Sequence, residues 1–184
     1  MGIIDRVRTW ALLAVQSASA HCDTEDGPVV AAGRRALRTD NVNHALAWVP
    51  ETGEDEVRAA FVVARTTNGQ GSVAAERRFL ETLVRLHRAG EGAEFTGIKP
   101  SGTPWPPAVT AADEALAAGS FAVLEPLVDE AHRTSVAERF GAARALRDHD
   151  VDDVAAGRAF VAAYVDYVHH ALHHVTAPAA GHGG

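Results

Sequence analysis

The spacing of the apolar residues is the feature that most limits how this chain can fold. Apolar side chains recur three and four residues apart almost throughout the 184 residues, alanine is abundant, and runs of β-branched residues are few. Residues three or four apart share one face of an α-helix, and alanine has the highest helix propensity. The pattern therefore predicts an all-α fold, a single-domain bundle of six to eight helices.

Capping and helix-breaking residues divide this pattern into helices. We expect helices over about 28–38, 40–49, 54–65, 73–89, 109–118 and 120–147, the last one interrupted at Pro126, and a final helix opened by Asp150 with Asp153 as its N3 acid. Residues 90–108 contain four glycines and four prolines without a helix or strand period. Loops of that length in compact domains are usually functional or mobile.

Two of the expected helices carry apolar stripes that should face the core. In the helix over 73–89 the stripe comprises Val73, Leu80, Leu83 and Val84, and both Glu76 and His87 fall on it. In the final helix the stripe comprises Val154, Val161, Val165, Val168 and Leu172. Glu76 is a candidate partner for His87, which lies at the end of its helix beside the long loop.

The composition is that of a soluble globular protein and excludes two classes of function. Hydrophobic residues make up 47% and charged residues 22% of the chain, and the formal net charge is -7. Nucleic-acid binding requires a basic face, so no nucleic-acid partner is expected. No apolar run reaches the length of a transmembrane helix.

The first twenty residues have two interpretations. Arg6 and Arg8 precede a short apolar run, and Ala18-Ser19-Ala20 has the small-residue pattern that a signal peptidase reads. Cleavage after Ala20 would make this an exported protein, periplasmic or extracellular, without membrane insertion after the leader is removed. If the segment is a short amphipathic helix that stays attached, the protein is cytoplasmic.

Three regions follow from these boundaries. Residues 1–20 are a candidate leader, residues 21–175 form the helical domain, and residues 176–184, which are small and rich in glycine, form a flexible tail. The chain is also compatible with a homo-oligomer, since nothing in its composition sets the oligomeric state.

The segment that follows the leader carries the strongest chemical signal. Cleavage after Ala20 would place a free amine, the His21 imidazole and the Cys22 thiol within two residues, and all three bind borderline or soft metal ions. Cys22 is the only cysteine, so it forms no intramolecular disulfide. The ordinary alternative is a small buried Cys22 beside an exposed His21.

Other candidate ligands lie on helices. Residues three or four apart share a helix face, so Asp166, His169 and His173, or His170 and His174, could clamp one ion. The ordinary alternative is a solvated, histidine-rich last turn. His87 has the ordinary alternative of a hydrogen-bonded core histidine.

Residues 21–27, His-Cys-Asp-Thr-Glu-Asp-Gly, which we call the hook, resemble the nickel hook of nickel superoxide dismutases. Those enzymes are small helical bundles whose propeptide is removed to expose an N-terminal His-Cys-Asp. His21, Cys22, Asp23 and Gly27 match the motif, and Asp26 stands where that family has its second nickel-binding cysteine. The resemblance implies a redox metal site, and this departure implies a harder site that suits zinc or copper(II).

Five longer segments carry a second resemblance. They are HCDTEDGPVV (21–30), NVNHALAWV (41–49), RRFLETLVRLHRAGEGAEFTGIKPSG (77–102), AADEAL (111–116) and AGRAFVAAYVDYVHH (156–170). They are similar to an uncharacterised bacterial family, often exported, known as a domain of unknown function. The resemblance covers most of the chain from His21 to about His169 and implies no established activity. It draws attention to Glu81, His87, Glu91 and His169 beside the hook.

The sequence therefore predicts a metal-binding helical protein whose site is built on His21 and Cys22. Asp26, His87 and His169 are the further ligands that the bundle would bring in. The ion would be nickel, copper or zinc, and the protein would be either a redox metalloenzyme or a metal carrier.

Two other functions stay open at this point. One is a metal-free helical interaction domain that binds through residues 90–108, with Phe95 and Trp105 as the apolar contacts. The other is a thiol-dependent enzyme in which Cys22 is the nucleophile.

Overall fold

The computed structural model describes residues 21–67 and 69–175, apart from the Gln70 side chain, and all regular structure in these residues is helical. From Pro28 onward the described residues form seven α-helices: α1 Pro28–Thr39, α2 Asn43–Leu46, α3 Glu54–Thr66, α4 Ser72–Gly90, α5 Pro107–Ala118, α6 Arg133–Leu146 and α7 Val154–His174. The prediction of an all-α fold is therefore confirmed. The predicted leader, 1–20, and the predicted tail, 176–184, lie outside the described residues.

The described chain divides into two compact units. The first contains residues 21–67, 69–104 and 149–161, and the second contains residues 105–148 and 162–175. The long helix α7 contributes its first residues to the first unit and the remainder to the second. Among the described helices, none is long and apolar enough to cross a membrane.

Helix α4 organises the core of the first unit, where it packs against α1 and α3. Phe79, Leu80, Leu83 and Val84 on α4 are buried, and the Phe79 ring meets Phe61 of α3 edge-on with ring centroids 5.7 Å apart. Cys22 and Ile98 belong to the same buried cluster. The predicted α4 stripe is thus confirmed at Leu80, Leu83 and Val84, and Phe79 joins it. The α4 core brings the hook and the long loop together.

Aromatic residues organise the second unit. The Tyr167 hydroxyl donates a hydrogen bond to the Ala112 carbonyl at 3.2 Å, and its ring packs edge-on against Phe140, with centroids 5.7 Å apart. Burial raises the pKa of the Tyr167 phenol. The core face of α7 in this unit is formed by Tyr164, Tyr167, Val168 and Ala171, whereas the predicted Val165 and Leu172 are only half-buried.

Two expected helices differ from the structure at their beginnings. Asp40 does not open a helix over 40–49, because it adopts a left-handed conformation, with φ of 55°, that ends α1. The next helix, α2, covers only Asn43–Leu46. The expected helix over 120–147 begins only at Arg133, since residues 121–132 form three short 3-10 turns, the second of which contains Pro126.

The cap of the last helix is also different from the prediction. Asp153, rather than Asp150, caps α7, because its carboxylate accepts a hydrogen bond from the Ala156 amide at 2.9 Å. The Asp150 carboxylate instead accepts one from the Asp152 amide at 3.0 Å and so stabilises the preceding turn.

Two expectations about α4 are wrong. Val73 is 77% exposed because it lies in the first turn of the helix, beyond the core that the later residues reach. Glu76 does not pair with His87, because eleven residues of helix separate them by about 16 Å. Glu76 lies instead 3.8 Å from Arg34, between the Arg34 Nε and the Glu76 carboxylate.

Truncating Leu83 tests the α4 core directly. We expect Leu83→Ala to lower the free energy of unfolding by about 2–5 kcal/mol, because it leaves a cavity among fully buried neighbours. The matched control Val73→Ala should change it by less than about 0.5 kcal/mol. Urea denaturation followed by circular dichroism measures both, and equal losses in the two variants would contradict this account of the core.

Candidate functional site

The first four residues of the hook are buried, although three of them are polar. His21, Cys22, Asp23 and Thr24 are 2%, 4%, 2% and 0% exposed. The Thr24 hydroxyl donates a hydrogen bond to the His21 carbonyl at 3.1 Å. The Gly27 amide donates one to the Thr24 carbonyl at 3.0 Å. These local bonds fold the hook into a compact turn that leads directly into Pro28 at the first position of α1.

Gly27 is needed because the turn brings backbone against backbone. A Cβ atom at this position would lie 2.2 Å from the His21 carbonyl oxygen and 2.9 Å from the Thr24 hydroxyl. No side chain fits there unless the hook itself moves. The close approach explains why the turn needs glycine at this position.

The long loop is hydrogen-bonded to the hook. Lys99 donates from its amide to the Asp23 carbonyl at 2.7 Å and accepts from the Glu25 amide at 3.0 Å, which forms an isolated parallel bridge between Thr24 and Lys99. One carboxylate oxygen of Asp26 accepts from the Ser101 hydroxyl at 2.9 Å and the Gly102 amide at 3.0 Å. These two hydrogen bonds lower the pKa of Asp26.

Glu25 ties the hook to two helices. Its carboxylate forms ion pairs with Arg34 of α1 and, at 2.6 Å, with Arg77 of α4. Arg34 also donates to the Glu25 carbonyl at 2.7 Å, and Arg77 pairs with Glu81 at 2.7 Å. The hook therefore has a fixed position relative to α1 and α4, and Glu81 serves this pairing.

Asp23 joins a group of charged side chains at the end of α4. We call this group the buried polar cluster. Its side chains contact one another in the order Asp23, Arg88, Glu91 and His87. The Arg88 Nε lies 3.5 Å from an Asp23 carboxylate oxygen, and its terminal nitrogen donates to Glu91 at 3.0 Å. The His87 Nε2 lies 3.5 Å from the other Glu91 oxygen. Three of the four residues are buried, and the Glu91 side chain is 16% exposed.

A backbone carbonyl fixes the proton position on His87. The His87 Nδ1 lies 2.9 Å from the Trp48 carbonyl oxygen, and the indole ring of Trp48 packs edge-on against the imidazole with centroids 5.7 Å apart. A carbonyl oxygen only accepts hydrogen bonds, so Nδ1 carries the proton. In the neutral ring, Nε2 then presents a lone pair toward Glu91.

The buried polar cluster has more acceptors than donors. Asp23 Oδ1, His87 Nε2 and Glu91 Oε1 are buried and have no hydrogen-bond partner within the described part of the chain, and the only such donor in the cluster is Arg88 Nε. Burial raises the pKa of the Asp23 carboxyl, against the opposing effect of Arg88 and Lys99. Unsatisfied buried acceptors are costly, so the site favours a positively charged occupant.

The predicted ligands are divided among several places. His21 and Cys22 lie in the buried hook, and His87 lies in the buried polar cluster. Asp26 is exposed and binds the loop, and His169 belongs to the second unit. Within residues 21–67 and 69–175, no group of three or more His, Cys, Asp or Glu side chains is placed so that it could hold a metal ion.

The histidines near the end of α7 form contacts of their own. His174 stacks on His132 with ring centroids 3.8 Å apart, and His170 lies 2.8 Å from the Ser135 hydroxyl through Nε2. Burial and the neighbouring cations lower the pKa values of His170 and His174. Asp166 pairs with Arg139 at 3.0 Å.

Sequence reasoning missed Arg88 and the role of Asp23. The i, i+4 spacing of His87 and Glu91 is visible in the sequence and predicts that the two side chains meet at one helix face. The hydrogen bond between His87 and the Trp48 carbonyl could not be predicted from the sequence. The two residues are thirty-nine positions apart, and only tertiary packing places them in contact.

Comparisons with known proteins give a family and no activity. A model described as a family of unknown function (DUF6448) matches residues 26–170. No curated protein matches the chain, and no solved structure does.

Gly27→Ala tests whether the turn fixes the hook. We expect the free energy of unfolding to fall by about 1–3 kcal/mol, because the new Cβ overlaps the His21 carbonyl. Gly141→Ala, inside α6 with open space around it, is the control and should be neutral or stabilising by up to about 1 kcal/mol. Chemical denaturation of both variants decides the matter, and a Gly27→Ala protein as stable as wild type would refute the role of the turn.

Proposed function

We propose that this chain, which belongs to the family of unknown function DUF6448, binds a divalent transition-metal ion at the buried polar cluster that adjoins its hook. His87 and Glu91 are the first two ligands, and Asp23 supplies a third oxygen. His21 and Cys22 are the further donors that the hook offers. The protein acts as a metal carrier or as a redox metal site.

The observation that carries this proposal is the pair of unsatisfied acceptors at the end of α4. His87 Nε2 and Glu91 Oε1 are 3.5 Å apart, and neither has a hydrogen-bond partner among the described residues. Two ligands that each lie 2.0–2.2 Å from one tetrahedral zinc ion are separated by about 3.4 Å. An ion between them would satisfy both acceptors at once.

The hydrogen bond to His87 supports the same interpretation. Histidines that bind metal ions usually donate from their second ring nitrogen to a carboxylate or a backbone carbonyl, which fixes the tautomer and the ring orientation. The bond from His87 Nδ1 to the Trp48 carbonyl at 2.9 Å provides this arrangement. The ring is therefore oriented before any ion arrives.

The donor types narrow the choice of metal. Imidazole and carboxylate ligands suit zinc and copper(II), and a Cys22 thiolate would add a softer donor. Asp26 stands where the nickel superoxide dismutases have a second cysteine, and its carboxylate is already bound to Ser101 and Gly102. This supports zinc or copper(II) ahead of nickel. No three-residue group is preformed in the described chain, so the proposal requires the Asp23 side chain to rotate toward the ion when it binds.

Native mass spectrometry and calorimetric titration of the full chain with Zn²⁺, Cu²⁺ and Ni²⁺ test the proposal. We expect one ion per chain, and a loss of affinity of at least about a hundredfold in His87→Ala, since losing even an outer-shell partner costs 10–100-fold. Glu91→Gln, which keeps the shape and removes the charge, should weaken binding as well. The same spectrum reports whether the mature chain begins at His21.

Two control variants make the titration decisive. His174→Ala removes a histidine of the second unit, and His44→Ala removes a half-buried histidine of the first unit. Both variants should bind the ion as tightly as wild type. Equal affinity in His87→Ala and wild type would refute the assigned site. Absence of any bound ion would refute metal binding and make a metal-free interaction domain that uses residues 90–108 the better candidate.

A further inference from the structure

We infer that residues 98–102 form a hinged strap that closes access to the hook, and that Asp26 is the catch that holds it shut. Its purpose, control of entry to the metal site, rests on the proposed function. The strap itself is a property of the fold and has a readout that needs no metal.

The strap is held by few hydrogen bonds. Two backbone bonds join Lys99 to Asp23 and Glu25, at 2.7 Å and 3.0 Å. The Asp26 carboxylate accepts the Ser101 hydroxyl and the Gly102 amide, at 2.9 Å and 3.0 Å. A carboxylate that accepts two hydrogen bonds holds more strongly than a neutral side chain would. Asp26 therefore provides the part of the attachment that a single substitution can remove.

The strap also inserts one side chain into the core. Ile98 is 8% exposed and belongs to the same buried cluster as Cys22, whereas Pro100, Ser101 and Gly102 at the other end are exposed. Arg77 donates a long hydrogen bond, 3.5 Å, to the Ile98 carbonyl. Lifting the strap therefore withdraws Ile98 from the cluster that contains the thiol.

A glycine stands at each end of the strap, because Gly97 precedes it and Gly102 is its last residue. Gly97 has φ of +99° and Gly102 has φ of +76°, and a Cβ at either position would meet nothing within 4 Å. Glycine reaches positive φ without steric cost, and the open space leaves both positions room to rotate. The segment between them can therefore swing while α4 and the residues beyond position 102 keep their places.

The hook needs such an opening. His21, Cys22 and Asp23 are at most 4% exposed, so an ion or a reagent reaches them only after some contact is broken. Opening the hook from the side of α1 or α4 would disrupt a helix of 12 or 19 residues. Local openings occur where few buried contacts and few hydrogen bonds must be lost, and the strap fits that description.

The rate at which a thiol reagent labels Cys22 in the metal-free full chain tests the strap. Cys22 is the only cysteine, so the signal is unambiguous. We expect Asp26→Ala to raise the labelling rate about tenfold or more, because the closed strap loses two charge-assisted hydrogen bonds and opens more readily. Asp26→Asn and Ser101→Ala should give smaller increases, and Asp55→Asn, an exposed carboxylate of α3, should give none.

Hydrogen exchange provides the second readout. The Lys99 and Gly102 amides should exchange faster in Asp26→Ala, while amides within α4 keep their wild-type rates. A labelling rate within twofold of wild type in Asp26→Ala would overturn the inference. So would uniform acceleration across α4, because the variant would then be opening globally.

The two proposals fail separately. Faster labelling in Asp26→Ala, in a protein that binds no ion in any variant, refutes the metal site and supports the strap. Tight metal binding together with unchanged labelling refutes the strap and supports the metal site.

Discussion

The ion pair between Asp23 and Arg88 joins the two parts of this structure on which the site depends. It connects the hook to the last turn of α4 at a place where the Arg88 side chain is 8% and the Asp23 side chain 3% exposed. Removing charges from water is expensive, and the attraction within the pair compensates only when the remaining polar atoms are also satisfied. Here they are not, because Asp23 Oδ1, Glu91 Oε1 and His87 Nε2 have no partner within the described residues. Departures from full satisfaction of this kind are expected at functional sites, and this one is the basis of the proposal that the cluster binds a cation.

The hook and the cluster have different structural roles. The hook residues after Asp23 are used for attachment: Glu25 binds Arg34 and Arg77, and Asp26 binds the strap. The hook residues that the sequence analysis named as metal ligands therefore do not share one role, because Asp26 binds the strap while His21 and Cys22 are buried. Asp23 in the buried part of the hook contacts the buried polar cluster, and Glu25 and Asp26 fix the surrounding chain. This division explains why an aspartate rather than a second cysteine is useful at position 26, since a thiol is a weak acceptor for the Ser101 hydroxyl and the Gly102 amide.

Local sequence patterns predicted the elements of this fold better than their boundaries. Helical spacing and alanine content predicted the all-α class, and Leu80, Leu83 and Val84 were correctly assigned to the core. Boundaries failed where tertiary or turn interactions compete with propensity. Asp40 ends a helix instead of beginning one, and the residues around Pro126 form 3-10 turns. For the candidate site, the sequence named His21, Cys22 and His87 as metal ligands, which stays a prediction. It could not predict the Trp48 carbonyl or the Arg88 ion pair, because each depends on how α4 packs against distant parts of the chain.

The central claim is that His87, held by the Trp48 carbonyl through Nδ1, binds a cation through Nε2. A long-range ¹H–¹⁵N correlation spectrum of histidine-labelled protein at neutral pH measures this directly, with His87→Gln used to assign the resonance. The account predicts that Nδ1 carries a proton, and that one equivalent of Zn²⁺ shifts the Nε2 resonance while the His44 signals stay in place. A ring without a proton on Nδ1, or a His87 spectrum that Zn²⁺ leaves unchanged, would contradict it.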